Sequence, residues 1–172
     1  RDGEISEQRR QLTELFTRVG RIQFLILALI ATGLIFFGKP FIGFWAGEGY
    51  DDAYYVALLL IIPGSIPLVQ NLGIEVQRAL NKHQFRSIVY ICMAVLNVIL
   101  TVILCQRYGA IGTAIGTATS LVVANGFVMN IYYHKKCNID IIVFWKSIGR
   151  LAVGLIIPVI CGIAIMNLFD FT

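Results

Sequence analysis

Five long stretches of this 172-residue chain contain no aspartate, glutamate, lysine or arginine. Each stretch holds between 17 and 26 residues. A helix of about 20 apolar residues is long enough to cross the hydrocarbon core of a bilayer, which is about 30 Å thick. The sequence therefore predicts an all-α fold, a polytopic helical membrane protein with five transmembrane helices. The predicted spans are residues 22–38, 53–74, 87–106, 110–133 and 151–169.

The overall composition agrees with a membrane location. Apolar residues make up 58% of the chain and charged residues 14%, whereas soluble domains are roughly 45–50% apolar and about 25% charged. The net charge of +4 is compatible with nucleic-acid binding, but the basic residues stand in short clusters beside apolar segments and do not form one soluble basic face. We therefore expect membrane lipids, and no nucleic acid, as partners.

Residues that carry catalysis or bind metals are not grouped in this sequence. The four cysteines form no Cys-x-x-Cys pair, and His83 and His134 are distant from each other, so we expect neither a metal site nor a disulfide framework. No nucleophile–base arrangement and no glycine-rich phosphate loop occurs, which predicts that the protein is not an enzyme and has no cofactor. Because the apolar stretches lack carboxylates, the sequence also argues against a proton or sodium relay within them.

The distribution of basic residues predicts an orientation. Lysine and arginine concentrate on the cytoplasmic side of membrane proteins, close to the ends of the spans. When the loops are assigned alternately to the two sides, 12 of the 14 basic residues fall on one side. We therefore expect a multi-pass protein of the cytoplasmic membrane, with its N-terminus in the cytoplasm and its C-terminus outside. The chain starts at Arg1 and not at a methionine, so we expect it to be part of a longer protein.

Two stretches are amphipathic and too charged to span. Residues 6–21 carry apolar side chains at helical spacing among charged ones, a pattern typical of a helix that lies in the cytoplasmic interface. Residues 138–146 could lie in the same way, with Phe144 and Trp145 as interfacial anchors. The alternative for both stretches is a simple return of the chain into the membrane.

The second span contains two prolines four residues apart, Pro63 and Pro67, with Gly64 between them. Each proline removes a backbone hydrogen bond and clashes with the preceding turn, so the helix should kink or break here. One interpretation is a hinge beside a substrate cavity. The other is a packing kink that neighbouring helices tolerate.

A polar stripe continues along the helix beyond the prolines. At 100° per residue, polar side chains occupy one half of the helix surface from about one turn past Pro67 into the cytoplasmic loop. The stripe consists of Gln70, Asn71, Glu75, Gln77, Arg78, Asn81 and Lys82. All but Gln77 and Asn81 are candidate substrate-binding residues of a hydrated vestibule, and Glu75 and Arg78 are spaced to form an ion pair. The alternative is a helix that leaves the bilayer with its charges snorkelling to the surface.

The fourth span carries small residues at every fourth position. Gly112, Gly116 and Ser120 make a thin face that another helix can approach closely, and we expect this face to be unmatched within the chain. Polar side chains also lie at membrane depth in the third and fourth spans: Asn97, Asn125 and Asn130. Such groups act more often as hydrogen-bond partners between helices than as substrate ligands.

Taken together, these motifs resemble one family of transporters. The third and fourth spans contain Ala94-Val-Leu-Asn97 and then Tyr108-Gly109-Ala-Ile-Gly112-Thr-Ala-Ile-Gly116-Thr-Ala-Thr-Ser120. This pattern is similar to that joining two late helices of polysaccharide flippases, which belong to the multidrug/oligosaccharidyl-lipid/polysaccharide exporter superfamily. Phe44-Trp45-Ala-Gly47-Glu-Gly49-Tyr50 resembles an outer loop of that family, and Gln77-Arg78-Ala79-Leu80-Asn81-Lys82 resembles an inner loop.

The resemblance implies both an architecture and a function. Members of the family have two lobes arranged as an inverted V around a central cavity, and they move lipid-linked oligosaccharides or polysaccharide repeat units across the cytoplasmic membrane for surface polysaccharide export. Residues 22–135 would belong to the C-terminal lobe, preceded by an amphipathic lead-in helix at 1–21 and followed by an interfacial segment and one further span at 136–172. The implied partners are the lipid-linked oligosaccharide and the N-terminal lobe of the same chain.

The resemblance also implies that basic residues in the cavity meet the pyrophosphate of the lipid. Arg78 is the strongest candidate, since an arginine fork suits a pyrophosphate, and Glu75 would hold Arg78 while the site is empty. Two alternatives remain open at this point. One is a multidrug exporter of the same superfamily, and the other is an unrelated five-span structural subunit.

Overall fold

The computed structural model describes residues 2–47, 49–81 and 83–168, and helix is the regular secondary structure of all these ranges. Its elements are α1 at Asp2–Ala46, α2 at Asp51–Val69, α3 at Leu72–Ala79, α4 at His83–Leu121, a π-helix at Val122–Met129, α5 at Asn130–Lys136 and α6 at Ile141–Leu168. The predicted all-α fold class is confirmed.

Four helical stretches in the described residues are long and apolar enough to cross a membrane: Ser6–Ala46, Asp51–Ala79, Gln84–Lys136 and Ile141–Ala164. The predicted spans 22–38 and 53–74 fall within the first two. Residues 151–164 of the span predicted at 151–169 fall in the last; residues 165–168 continue the same helix beyond it, and residue 169 lies outside the described part of the chain. The spans predicted at 87–106 and 110–133 both fall within Gln84–Lys136. The structure therefore supports a membrane-embedded helical protein, but two predicted spans share one helical stretch.

The chain folds back on itself within that shared stretch, at Gly109. Its φ of 59° and ψ of −135° are not helical, and this part of conformational space is open to glycine because glycine has no Cβ. Residues 84–108, which we call the first arm, and residues 110–136, the second arm, then pack against each other. Thr117 Oγ1 on the second arm donates a hydrogen bond of 3.3 Å to Asn97 Oδ1 on the first. Gly109 thus makes this stretch a hairpin.

Buried side chains concentrate at one end of the molecule, where the N-terminal part of α1 meets α3, α5 and the start of α6. The ring of Phe16 lies 4.8 Å from that of Phe144 in an edge-on arrangement and 6.0 Å from that of Tyr133. All three side chains are at most 1% exposed. We call this cluster the basal core. The basal core fixes the relative positions of the helices that carry the predicted binding residues.

The basal core changes the interpretation of the two amphipathic stretches. Residues 6–21 are the first part of one continuous helix, α1, and Thr13 Oγ1 accepts a hydrogen bond of 3.1 Å from the backbone N–H of Asp140. The prediction that Phe144 anchors the chain in the interface is wrong, because its ring packs against Phe16 and Gly20 inside the protein. Trp145 is half-buried and contacts the edge of Phe144.

Away from the basal core, the helices expose large apolar side chains. Side chains that are 63–74% exposed include Leu29, Phe37, Ile62, Ile91 and Ile157. In a soluble protein such faces would drive association. In a bilayer they contact lipid tails or further helices, which agrees with a membrane-embedded chain.

Candidate functional site

The predicted binding residues begin where α2 ends. The helix continues through Pro63, Gly64 and Pro67 to Val69, and the break falls at the next two residues, before α3 starts. The interruption that the two prolines predict therefore lies just beyond them. Whether these residues act as a hinge stays a prediction.

Two groups support the backbone at this break. The backbone N–H of Gly73 donates to the carbonyl oxygen of Gln70 over 2.8 Å, which closes a tight turn. The side-chain amide of Gln23 on α1, oriented so that its nitrogen faces α2, donates to the carbonyl oxygens of Leu68 at 3.2 Å and Val69 at 3.0 Å. The carbonyl oxygen of Leu68 also accepts from the backbone N–H of Asn71 over 3.2 Å, so Gln23 adds a contact from α1 to the last carbonyl groups of α2.

The polar stripe is divided between two environments. Asn71, Glu75 and Arg78 are exposed, whereas Gln70 and Gln77 are buried, with 2% and 0% of their surface exposed. The break between α2 and α3 alters the helical register that a continuous helix would have kept. Of the four candidate residues that the structure describes, Gln70 is buried and the other three are exposed, so the four do not share one hydrated surface.

The two buried glutamines differ in their bonding. Gln70 Nε2 donates a hydrogen bond to Asn130 Oδ1 on α5, so Gln70 ties α2 to the second arm of the hairpin. Neither amide atom of Gln77 has a hydrogen-bond partner among the described residues. The remaining candidate, Lys82, lies outside the described residues.

Arg78 occupies an exposed position beside a second arginine. Its Nη1 lies 3.0 Å from Glu75 Oε1, so the predicted ion pair forms. The two side chains are 66% and 61% exposed, and a pair so exposed contributes little to stability, about 0–1 kcal/mol. Arg78, Ile74, Arg86 and Ser87 line one cavity of about 540 Å³. Two arginine residues thus line the same open space.

Arg86 is a functional candidate that sequence reasoning did not single out. Its Nη1 donates to the hydroxyl of Tyr133 and its Nη2 to the hydroxyl of Tyr90, each over 2.8 Å. The Tyr90 hydroxyl in turn donates to Asn125 Oδ1 over 2.6 Å. The guanidinium carbon also lies 4.8 Å from the centre of the Tyr90 ring, a cation–π distance. These contacts fix the position of Arg86, whereas Arg78 is held by one exposed partner.

One signal in the sequence could have identified this network. Arg86 and Tyr90 are four residues apart, and side chains at that spacing meet on a helix. In the prediction of the orientation, Arg86 counted only as one of the basic residues on the cytoplasmic side. Tyr133 and Asn125 could not have been assigned to Arg86 without the pairing of the two arms.

The small-residue face of the second arm is covered within the chain. A Cβ on Gly112 would lie 2.6 Å from the carbonyl carbon of Leu104, and one on Gly116 would lie 3.0–3.2 Å from atoms of Thr101. Ser120, farther along the same face, is 5% exposed. The expectation that this face is unmatched is wrong, because the first arm of the hairpin packs against it.

Asn97 lies at the contact between the arms. Its Oδ1 accepts hydrogen bonds from Thr101 Oγ1 at 3.0 Å and from Thr117 Oγ1 at 3.3 Å. These bonds satisfy a polar group inside an apolar hairpin, where an unpaired acceptor would be unfavourable. Asn97 therefore serves the packing of the hairpin.

Among the described residues there is no group of three or more histidine, cysteine, aspartate or glutamate side chains that could hold a metal ion. Comparison with protein families, with curated proteins and with solved structures finds no match to this chain. The geometry of the site offers two arginines at one cavity and a hydrogen-bonded tyrosine–asparagine network behind one of them.

Proposed function

We propose that the chain crosses the membrane five times, with the N-terminus in the cytoplasm and the C-terminus outside. A straight helix of 53 residues would be about 80 Å long, more than twice the thickness of the hydrocarbon core, whereas each arm alone is about 40 Å long. The turn at Gly109 and the contacts between the arms support two crossings in this stretch. The concentration of basic residues on one side supports the orientation.

We further propose that the chain is the larger part of one lobe of a transporter that flips lipid-linked oligosaccharide or polysaccharide repeat units across the cytoplasmic membrane. The observation that carries this proposal is the cavity that Arg78 and Arg86 share. It lies at the end of the helices that we assign to the cytoplasm, where such a lipid would be loaded. The resemblance to polysaccharide flippases supports the same function.

The chemistry of the substrate explains why two arginines suit this position. A pyrophosphate carries several negative charges, and an unpaired charge is expensive to bury in hydrocarbon. The planar guanidinium group can form two parallel hydrogen bonds to phosphate oxygens, whereas a lysine acts as a point charge. Two such groups at one cavity provide a hydrated, basic site from which the headgroup can enter the transporter.

The two arginines have different tasks in this proposal. Arg86 is held by Tyr90 and Tyr133, so it offers a pre-oriented contact. Arg78 is paired with Glu75 and can exchange that carboxylate for the headgroup when the substrate arrives. The exposed apolar faces of the helices are consistent with a second lobe packing beside this one, and rocking of the two lobes would alternate the access of the cavity.

Exchange of Arg78 for lysine tests this role. Arg78→Lys keeps the charge and the topology signal but loses the bidentate geometry. We expect the full-length variant to reach normal abundance in the membrane and to lose most of its glycan export. Arg150→Lys is the matched control, since Arg150 is an exposed arginine assigned to the same side but far along the chain from the cavity. It should export normally.

Two outcomes would contradict the proposal. Full export by the Arg78→Lys variant would mean that Arg78 only marks the edge of the membrane. If cells that lack the protein accumulated no lipid-linked glycan in the inner leaflet, the proposed substrate would be wrong.

A further inference from the structure

Asn125 is a buried polar residue to which the proposed function assigns no role. It lies in the π-helix at Val122–Met129, and only 1% of its surface is exposed. Its Nδ2 donates to the carbonyl oxygen of Leu121 over 3.3 Å, and its Oδ1 accepts from the Tyr90 hydroxyl over 2.6 Å. Because these bonds use both ends of the amide, they fix which end faces Tyr90.

The hydrogen bond to Asn125 determines how Tyr90 meets Arg86. A tyrosine hydroxyl has one proton to donate and can also accept. Because Tyr90 donates its proton to Asn125, its oxygen is left to accept from Arg86 Nη2 over 2.8 Å. Hydrogen bonds in such a chain also strengthen one another. Asn125 thus acts on Arg86 through Tyr90, and Arg86 lines the cavity that it shares with Arg78.

The π-helix explains how one arm reaches both Arg86 and Tyr90. Tyr133 and Asn125 lie eight residues apart on the second arm, and they contact Arg86 and Tyr90 of the first arm. In a continuous α-helix, positions eight apart differ by about 80° around the axis. A π-helix bonds each residue to the one five away, so its turns hold more residues and each residue turns the chain less. The π-helix, which ends at Met129, therefore turns Asn125 toward the face of Tyr133.

We propose that Asn125 is a positioning residue that holds Arg86, through Tyr90, in the orientation in which the cavity receives a diphosphate headgroup. The role toward the headgroup rests on the proposed function, whereas the chain of contacts from Asn125 to Arg86 does not. Asn97 provides the comparison. Its hydrogen-bond partners are Thr101 and Thr117 at the contact between the arms, so its replacement tests packing of the hairpin.

Chemical modification of arginine in the full-length protein tests the contact chain without substrate. Phenylglyoxal is applied in mild detergent, and mass spectrometry measures the ratio of the modification rates of Arg86 and Arg78. Arg78 is the internal reference, because it lines the same cavity but is paired with Glu75. We expect Asn125→Leu to raise the ratio by about two- to ten-fold, the effect of one neutral hydrogen bond.

Three control variants separate positioning from packing. Asn97→Leu makes the same replacement at the contact between the arms and should keep the ratio. Asn125→Asp keeps an acceptor oxygen for Tyr90 and should also keep it. Tyr90→Phe removes only the hydroxyl and should raise the ratio. In that background Asn125→Leu should have no further effect, because the contact through which Asn125 acts is already absent.

Transport kinetics test the consequence for the substrate. In liposomes that contain a lipid-linked oligosaccharide, Asn125→Leu should raise the half-saturating mole fraction of that lipid by about two- to ten-fold. The maximal rate should stay unchanged, as expected when binding is weakened uniformly. If the unaltered protein moves no lipid-linked oligosaccharide, the proposed function fails, while the modification ratio still decides whether Asn125 positions Arg86.

Several results would overturn the inference. An unchanged modification ratio in Asn125→Leu or Tyr90→Phe would show that Arg86 is held without this chain of contacts. An equal rise in Asn97→Leu, or a further rise on adding Asn125→Leu to Tyr90→Phe, would show a general loosening of the hairpin. A raised ratio with an unchanged half-saturating mole fraction, in a protein that transports, would show that the orientation of Arg86 does not matter to the headgroup.

Discussion

Replacing Gly112 by alanine should force the two arms of the hairpin apart. The new Cβ would lie 2.6 Å from the carbonyl carbon of Leu104 and closer still to its oxygen. Because both atoms belong to the backbone, no side chain can move to relieve the contact. The arms must separate by roughly 1 Å, and a gap of 0.5–1 Å already forfeits about a quarter to a half of the dispersion attraction between facing atoms.

The net effect can be compared with that of two other glycines. Overpacking costs about 1–3 kcal/mol, and a clash with backbone atoms belongs to the upper part of that range, about 2–3 kcal/mol. The better helix propensity of alanine returns about 1 kcal/mol, so Gly112→Ala should lower the free energy of unfolding by about 1–2 kcal/mol. Gly116→Ala should be milder, because its Cβ would lie 3.0–3.2 Å from Thr101. Gly154→Ala should be neutral or stabilising, because nothing lies within 4 Å of its Cβ position.

Thermal unfolding of the purified protein in mild detergent measures this order. For a chain of this size, 1–2 kcal/mol corresponds to a fall of about 2–8 °C in the midpoint. We expect the midpoint of the Gly112 variant to be the lowest of the three and that of the Gly154 variant to be the highest. If Gly112→Ala left the midpoint unchanged or raised it as Gly154→Ala does, the arms would not be packed as described, and the fivefold crossing would lose its main support.

Two further predictions concern topology and the basal core. In intact cells a membrane-impermeant thiol reagent should label Cys105, which is exposed and near the turn assigned to the outside. In a Lys135→Cys variant, the same reagent should label position 135 only after lysis. Labelling of position 135 before lysis would mean that the orientation is the reverse of the one proposed. The buried amide of Gln77 has no partner among the described residues, and an unsatisfied polar group of this kind costs about 1–3 kcal/mol. The Gln77→Met variant lacks that group, so its unfolding midpoint should be higher. A fall in that midpoint would mean that the amide has a stabilising partner in the membrane.

The charge-free stretches predicted most of the fold because lipid imposes a simple requirement on the sequence. Residues 22–38 and 53–74 lie within long apolar helices, since only an uninterrupted run of apolar side chains is long enough to cross. The turn at Gly109 lies in the gap that the sequence leaves between the spans predicted at 87–106 and 110–133, where Arg107 interrupts the charge-free residues. The positive φ of Gly109 reverses the chain within this short gap.

The candidate site was harder to predict because it depends on contacts between distant segments. The stripe from Gln70 to Arg78 was derived for a continuous helix, and the break after Val69 divides it. Gln70 then turns to Asn130, sixty residues away. Arg86 owes its position to Tyr133, which lies on the other arm. Neither pairing follows from helical periodicity, which describes one helix at a time.

Phe144 shows that the pattern of an amphipathic segment also does not reveal which distant residues it contacts. An aromatic residue beside lysines is typical of the membrane interface, and the same pattern arises when the ring packs into a protein core at the end of the helices. The difference is decided by Phe16 and Gly20, which leave room for the ring on α1. A pattern within residues 138–146 contains no information about that space.

The central claim, transport of a lipid-linked glycan, is tested most directly by reconstitution. The full-length protein is placed in liposomes that contain a lipid-linked oligosaccharide with a fluorescent label on its glycan, and a membrane-impermeant reductant measures how much label reaches the outer surface. We expect label from the inner leaflet to become accessible with the unaltered protein and to stay largely protected with the Arg78→Lys variant. If the inner-leaflet label stayed as protected with the unaltered protein as in protein-free liposomes, the protein would not transport a lipid-linked glycan.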